Sequence, residues 1–233
     1  MLVKRDRHDR GSADAGWLKS MHTFSFGGYH DPAHMGYGPL RVINDDRVIP
    51  GAGFGTHPHR NMEIISYVLE GELAHKDSMG NGSSIKPGEV QLMSAGAGVT
   101  HSEYNASDTD GVHFLQIWIM PQAENTEPGY QQKSFADEGM QGKFRTVVSA
   151  DGENGSLIVK QDMRLLIGKF SEGDVADYKA NAGRKYWVQI ASGMATVNGE
   201  AATSGDGFAI EAETKIEISS QSDSEILLFD LPV

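Results

Sequence analysis

Apolar residues in this chain fall into short runs that alternate with polar positions and are separated by turn-forming residues. Residues 64–69 form one such run, rich in β-branched side chains and ended by Glu70 and Gly71, and residues 112–120 form the longest, ended by Pro121. Alternation of this kind is typical of β-strands. Strands that recur at intervals of roughly 8–12 residues, with turn signals between them, indicate a sandwich or a barrel. The pattern therefore predicts an all-β protein.

The strand pattern is interrupted once. Residues 121–145 are polar and contain Pro121, Pro128 and Gly129, and the strand pattern starts again at residue 146. With 233 residues, the chain is long enough for two domains of roughly 100–120 residues, each with its own core. We expect an N-terminal domain over residues 1–130 and a C-terminal domain over residues 131–233, with a short helix near residues 134–138 in the crossing between them.

The charge balance argues against some classes of partner. Lys and Arg total 20 and Asp and Glu total 32, which gives a net charge of −12. Such an acidic surface repels phosphate backbones and anionic lipid, so we expect no direct binding to nucleic acid or to membranes. The first ten residues are charged and do not resemble a secretory signal, and no apolar run approaches the roughly 20 residues that span a bilayer. We expect a cytoplasmic protein and, as the default, a monomer.

The usage of cysteine and histidine narrows the possible chemistry. The chain has no cysteine, which excludes disulfides, zinc fingers, iron–sulfur sites and a thiol nucleophile. All nine histidines occur at or before His113. Any histidine-based metal chemistry therefore belongs to the N-terminal half.

Two pairs of metal-capable side chains stand out in that half: His57 with His59, and His101 with Glu103. Residues two apart in a strand point to the same side, so each pair shares a face. If the two strands face each other inside a barrel, three imidazoles and one carboxylate converge on one point. Such ligands suit Fe, Mn, Co, Ni, Cu or Zn, and the lack of thiolate disfavours a purely structural zinc site.

Each pair alone has a simpler interpretation. A His-x-His pair on a strand is more often surface or core histidine than a pair of ligands, and Glu103 can be a solvated carboxylate. Glu63, four residues after His59, competes for the position of fourth ligand, and spacing alone does not choose between Glu63 and Glu103. The remaining histidines are interpreted as structural or pocket-lining (His22, His75, His113) or as surface residues (His8, His30, His34).

Residues 51–63 follow the pattern Gly-x5-His-x-His-x3-Glu, which resembles the first cupin motif, and His101-x3-Asn105 resembles the second. Gly71 lies one residue later than the cupin pattern has it, and Gly96 stands where that pattern usually has Pro. More specifically, the first ~120 residues are similar to the pirin family, and above all to bacterial pirin-like proteins with quercetinase activity. The similar segments are residues 16–17, 22–26, 40–46, 53–59, 62–64, 68–71, 91–96 and 101–103.

The resemblance implies a bicupin fold, with two β-barrels packed face to face and a metal only in the N-terminal one. It implies that Glu103 is the fourth ligand beside His57, His59 and His101, and that Glu63 contacts the ligands or lines the pocket. Fe(II) is the expected metal. Glu103 is also the expected general base.

The activity that the resemblance implies is that of a quercetin 2,3-dioxygenase, which opens a flavonol ring with O2 and releases carbon monoxide. Animal pirins suggest an alternative, an iron-dependent, redox-responsive regulatory protein that acts through protein partners. A cupin isomerase or a vestigial metal-binding protein is a third possibility, and turnover without O2 would favour the isomerase.

Overall fold

The computed structural model describes residues 1–136 and 139–233, and in this part of the chain the regular structure is β-strand apart from two short 3-10 turns. The strands of the first half are β1 (Leu2–Arg5), β2 (Gly11–Asp14), β3 (Leu18–His22), β4 (Leu40–Val48), β5 (Gly53–His59), β6 (Glu63–Glu70), β7 (Leu73–Asp77), β8 (Gly82–Ile85), β9 (Glu89–Ser94), β10 (Val99–Asn105), β11 (Val112–Ile119) and β12 (Gly129–Ser134). The all-β prediction is therefore confirmed.

The second half continues in the same way. Its strands are β13 (Arg145–Ser149), β14 (Leu157–Ile158), β15 (Arg164–Phe170), β16 (Val175–Lys179), β17 (Arg184–Ser192), β18 (Met194–Val197), β19 (Glu200–Thr203), β20 (Gly207–Glu211), β21 (Lys215–Ser220) and β22 (Ser224–Pro232). The 3-10 turns span Arg7–Asp9 and Glu153–Gly155.

One compact unit consists of Gly11–Ala136 together with Val159–Gln161. It contains a seven-stranded sheet of order β12-β9-β6-β11-β4-β3-β2 and a four-stranded sheet of order β5-β10-β7-β8. Neighbouring strands within each sheet are antiparallel. The two longest apolar runs of the sequence, β6 and β11, are neighbours at the centre of the larger sheet. Their register places Ile65 opposite Ile117, and both side chains are fully buried.

The other unit consists of Met1–Arg10, Asp137–Ile158 and Asp162–Val233. Its sheets have the orders β1-β20-β17-β22-β15-β13-β14 and β16-β21-β18-β19. Strand β1 pairs with β20, and Lys4 Nζ lies 2.9 Å from the buried carboxylate of Asp206. The first strand of the chain thus belongs to this unit. The domain division expected between residues 130 and 131 stays a prediction.

The segment that ends at Ala136 differs from the expectation of a helix near residues 134–138. Residues up to Ser134 form β12, which pairs with β9, and Phe135 and Ala136 are not helical. The last two positions of the predicted helix, 137 and 138, lie outside the described residues. Within residues 1–136 and 139–233, no helix has the length and apolar character needed to cross a membrane.

Candidate metal centre and its cavity

The two predicted pairs of side chains lie on neighbouring strands of the four-stranded sheet. β10 pairs antiparallel with β5, and His101 stands directly opposite His57. The register then shifts, so that Glu103 lies opposite Phe54 instead of Gly55. β-Bulges of this kind redirect side chains and are frequent beside functional sites. The pairs therefore come together within one sheet, side by side, instead of facing each other across a barrel.

The three imidazole rings of His57, His59 and His101 form a nearly equilateral triangle. The ring centroids are 4.5 Å apart for His57 and His101, 4.7 Å for His59 and His101, and 4.8 Å for His57 and His59. One ring nitrogen from each residue lies within 4.8 Å of one nitrogen from both others. His57 and His59 are half-buried and His101 is buried. Three nitrogen ligands on one side of a single point can hold a divalent metal ion.

Hydrogen bonds to the other ring nitrogens assign the protons of these rings. His57 Nδ1 donates to the carbonyl oxygen of Gly55 at 2.8 Å. His75 Nε2 donates to Asp77 Oδ2 at 3.2 Å, so that His75 Nδ1 accepts from His101 Nδ1 at 3.4 Å. His57 Nε2 and His101 Nε2 then both carry lone pairs, yet they are only 3.0 Å apart. Two lone pairs this close repel each other unless a cation lies between them.

The carboxyl of Asp77, which begins this chain of hydrogen bonds, is itself firmly held. Asp77 Oδ1 accepts from the backbone N–H groups of Met79 and Asn81 at 2.9 and 3.0 Å, and Oδ2 accepts from the Asn81 side chain at 2.9 Å. Burial raises the pKa of Asp77, but the hydrogen bonds from Asn81, His75 and Met79 together lower it below its ordinary value. The carboxylate is therefore ionised and fixes the orientation of His75.

Burial keeps the imidazoles of His59 and His101 in the neutral form that binds metals. Burial, followed by the proximity of His57, lowers the pKa of His59 to about 4. Burial and then the neighbouring imidazoles lower the pKa of His101 to about 3. His59 Nε2 is buried and has no hydrogen-bond partner among the described residues. A buried imidazole nitrogen without a hydrogen-bond partner is typical of a histidine that binds a metal ion through that nitrogen.

Glu103 lies beside this triangle and is 2 % exposed. Its Oε1 accepts from Ser66 Oγ at 3.1 Å and its Oε2 accepts from Gln116 Nε2 at 2.8 Å. It forms a second group of mutually close ligand atoms, with His75 and His101. Burial raises the pKa of Glu103, against the lowering effect of His75 and of the two hydrogen bonds.

A cavity of about 330 Å³ adjoins the imidazoles and lies within the range usual for small-molecule sites. Most of the surface that lines it is apolar, and its large apolar side chains are Leu18, Phe26, Phe54 and Trp118. The polar and ligand side chains in its lining are Ser20, His22, Asn44, Asp46, His57, His59, Glu103 and Gln116. The cavity thus offers both flat apolar contacts and polar groups to a ligand.

A family model described as Pirin matches residues 3–119, half of the chain. The chain belongs to the pirin family. A second model, described as the quercetinase C-terminal cupin domain, matches residues 146–231. The prediction of two cupin-type domains is therefore confirmed.

Relatives of this pirin include a protein of Escherichia coli strain K12 named quercetin 2,3-dioxygenase, 49% identical over 232 residues, which are 100% of this chain and 99% of that one. A pirin-like protein of Caulobacter vibrioides is 38% identical, over 98% of this chain and 99% of its own. The crystal structure of the bacterial pirin YhhW from E. coli in complex with nickel(II) has a TM-score of 0.94 and 48% identity, and the match covers 100% of this chain and 99% of that one.

Glu63, the other candidate for fourth ligand, lies elsewhere in this pirin. It is buried on β6, and its Oε2 accepts from Ser94 Oγ at 2.8 Å and from the backbone N–H of Lys160 at 3.2 Å. Burial raises its pKa. It belongs to neither group of mutually close ligand atoms. Among the other histidines, His22 lines the cavity and His113 bonds to Asp45.

The sequence reasoning missed Ser66, Gln116 and Asp77 and gave His75 only as structural or pocket-lining, although each of the four left a signal. Ser66 and Gln116 are single polar residues inside the apolar runs of β6 and β11. His75 and Asp77 have the same spacing of two residues as the metal-capable pairs. A polar residue inside an apolar, buried strand requires a hydrogen-bond partner. Ser66 and Gln116 both donate to the carboxyl of Glu103.

Proposed function

We propose that this pirin is a metal-dependent dioxygenase that cleaves flavonols such as quercetin with O2 and releases carbon monoxide. One observation carries the proposal: three imidazole nitrogens converge beside a largely apolar cavity that is also lined by a buried carboxyl, Glu103. The similarity over the full chain to a quercetin 2,3-dioxygenase favours this activity over the regulatory alternative.

The proposed metal ligands are His57, His59, His101 and Glu103. The orphaned Nε2 of His59 and the close approach of the Nε2 atoms of His57 and His101 support the three nitrogen ligands. Carboxylate as the fourth ligand is supported by the position of Glu103 near His101. For the metal itself we propose Fe(II), because mixed imidazole and carboxylate sets with open positions suit it, although Ni, Co, Mn, Cu and Zn accept the same ligands.

The cavity wall accounts for the choice of a flat aromatic substrate. Phe26 and Trp118 contact each other edge to face, with ring centroids 5.3 Å apart, and Trp118 also contacts His59. Aromatic side chains held in this way present rigid apolar surface to planar rings. We infer that the flavonol lies between this wall and the imidazoles, with its 3-hydroxyl group toward Glu103.

The protein's own part in the chemistry is the removal of one proton. Glu103 accepts the proton of the 3-hydroxyl, and burial, which raises the pKa of this carboxyl, makes it a stronger base than an exposed glutamate. Ser66 and Gln116 hold the carboxyl in place through its two oxygens. The bound metal supplies Lewis-acid stabilisation of the oxyanion and the chemistry with O2.

The test combines metal loading with a turnover assay. The metal-free protein is loaded anaerobically with Fe(II), and in parallel with Ni(II), Co(II), Mn(II), Cu(II) and Zn(II), and then receives quercetin and air. We expect loss of the flavonol absorbance together with release of carbon monoxide. The Glu103→Gln variant should bind metal and lose turnover, whereas Glu124→Gln, a change at an exposed glutamate, should behave as the wild type. A fully loaded protein that leaves quercetin intact would refute the proposed activity.

The remaining expectations about partners stay predictions. A monomer, location in the cytoplasm and an additional protein partner belong to this group. A protein whose partner binding, but not its turnover of flavonol, depends on Glu103 would favour the regulatory alternative.

A further inference from the structure

Asp46 is a buried acidic residue in the cavity wall, and it has no role in the proposed mechanism. It lies on β4, opposite Ser20 of β3 and Phe114 of β11, and it is 3 % exposed. It lines the same cavity as Glu103 and the imidazoles of His57 and His59. It belongs to neither group of mutually close ligand atoms.

One oxygen of this carboxyl, Oδ1, is buried and has no hydrogen-bond partner among the described residues. Buried polar atoms without partners are rare in folded proteins, because each loses its hydrogen bonds to water on folding. Trp118 Nε1, in the lining of the same cavity, is in the same situation. Unsatisfied atoms in the wall of a cavity point to a ligand that satisfies them.

The surroundings of Asp46 suit a hydroxyl group. Burial raises the pKa of this carboxyl to about 7, with further raising by Glu103 and Asp45 and a lowering effect of the hydrogen bond from Ser20. A carboxyl group accepts hydrogen bonds when it is ionised and can also donate one when it is protonated. A hydroxyl both donates and accepts, so it bonds to either state, whereas a cation or an anion would fit only one.

We propose that Asp46 Oδ1 binds a phenolic hydroxyl of the substrate other than the hydroxyl that reacts. This inference rests on the proposed function, in which the reacting 3-hydroxyl lies beside Glu103. Asp46 belongs to neither group of mutually close ligand atoms, so the hydroxyl that we assign to it is a different one from the 3-hydroxyl that meets Glu103. Asp46 is thus a specificity-determining residue, and the protein prefers polyhydroxylated flavonols to those that carry the 3-hydroxyl alone.

The test compares quercetin with 3-hydroxyflavone, which keeps the reacting hydroxyl and lacks all others. Dissociation constants for both are measured anaerobically on the metal-loaded protein by quenching of tryptophan fluorescence. We expect the wild type to bind quercetin at least about tenfold more tightly, as for a buried hydrogen bond to a carboxyl. In Asp46→Ala this ratio should fall about tenfold, and in Asp46→Asn, which keeps one acceptor oxygen, it should lie between the two. Asp108→Ala, at an exposed acid outside the cavity lining, should keep the wild-type ratio.

Two results would overturn the inference. The first is a wild type that binds quercetin and 3-hydroxyflavone equally well, which is measured without any variant. The second is a folded Asp46→Ala variant whose ratio of the two dissociation constants equals that of the wild type. The outcomes also separate this inference from the proposed function. If both flavonols are turned over and the ratio of their dissociation constants does not change in the position-46 variants, the inference about Asp46 is wrong and the proposed dioxygenase activity stands. A wild type that neither binds nor consumes any flavonol removes both.

Discussion

The buried carboxyl of Asp46 should make the stability of the metal-free protein depend on pH in a way that one substitution removes. The pKa of Asp46 is raised from 3.8 to about 7 in the folded state, chiefly by burial. Between these two values the folded state binds more protons than the unfolded state. The contribution of this group is therefore fully present below about pH 4 and is lost as the pH rises through about 7.

The magnitude follows from the size of the shift. At about 1.4 kcal/mol for each unit of pKa, the complete contribution is roughly 4 kcal/mol, of which roughly 2–3 kcal/mol is lost between pH 5 and pH 8. Asp46→Asn has no proton to lose, so its free energy of unfolding should lack this decline. Relative to the wild type, the variant should gain roughly 2–3 kcal/mol over that interval.

Urea unfolding of the metal-free proteins at pH 5, 6.5 and 8, followed by tryptophan fluorescence, measures this difference. His59 and His101 act in the opposite direction: their lowered pKa values give stability that is present above about pH 6.5 and is lost as the pH falls through about 4 and about 3. Both proteins contain these histidines, so their effect cancels in the comparison. Asp108→Asn, at an exposed acid, is the control. Parallel curves for the wild type and Asp46→Asn would refute the reasoning.

Three further predictions concern the metal centre. Asp77→Asn should weaken metal binding roughly 10–100-fold in a competition titration, because His75 loses the partner that fixes the proton on His101; unchanged affinity would contradict this chain of hydrogen bonds. Removal of the metal with a chelator should lower the melting temperature, and re-addition should restore it, since an ion at 100 times its Kd stabilises the folded state by about 2.7 kcal/mol; a melting temperature that ignores both steps would argue against a bound ion. Glu103→Gln should lower kcat by about a hundredfold or more while the protein stays folded by circular dichroism, because the neutral amide accepts no proton; near wild-type turnover would exclude Glu103 as the base.

Local patterns in the sequence were enough to predict an all-β chain and to find the two pairs of metal-capable side chains, because both depend on alternation between neighbouring residues. They were not enough to show that β5 and β10 are neighbours in one sheet. Strand pairing depends on residues far apart in the chain, and the shift that sets Glu103 opposite Phe54 depends on one extra residue in β5. Spacing therefore indicated which side chains share a face, but it did not give the distances between the pairs.

The first strand illustrates the same limit. Nothing in residues 1–10 indicates that β1 pairs with β20, some two hundred positions later. The contacts that hold it there, such as Lys4 with Asp206, join single charged residues whose neighbours in sequence carry no matching signal. Asp46 was missed for a related reason: in the run Asn44-Asp45-Asp46 it patterns as the polar end of a strand, and only the fold shows that it points inward.

The two units contain similar sheets, but their described residues satisfy buried polar groups in different ways. In the second unit the buried carboxyl of Asp230 is fully occupied, since Oδ2 accepts from Tyr178 and Oδ1 accepts from Arg184. The core around it is filled by aliphatic and aromatic side chains. In the first unit, His59 Nε2 and Asp46 Oδ1 remain without partners beside a cavity. Such atoms destabilise a protein that binds nothing. Under the proposed function, His59 Nε2 contacts the metal and Asp46 Oδ1 contacts the substrate, so a substrate that leaves Asp46 Oδ1 unsatisfied should bind more weakly than one that satisfies it.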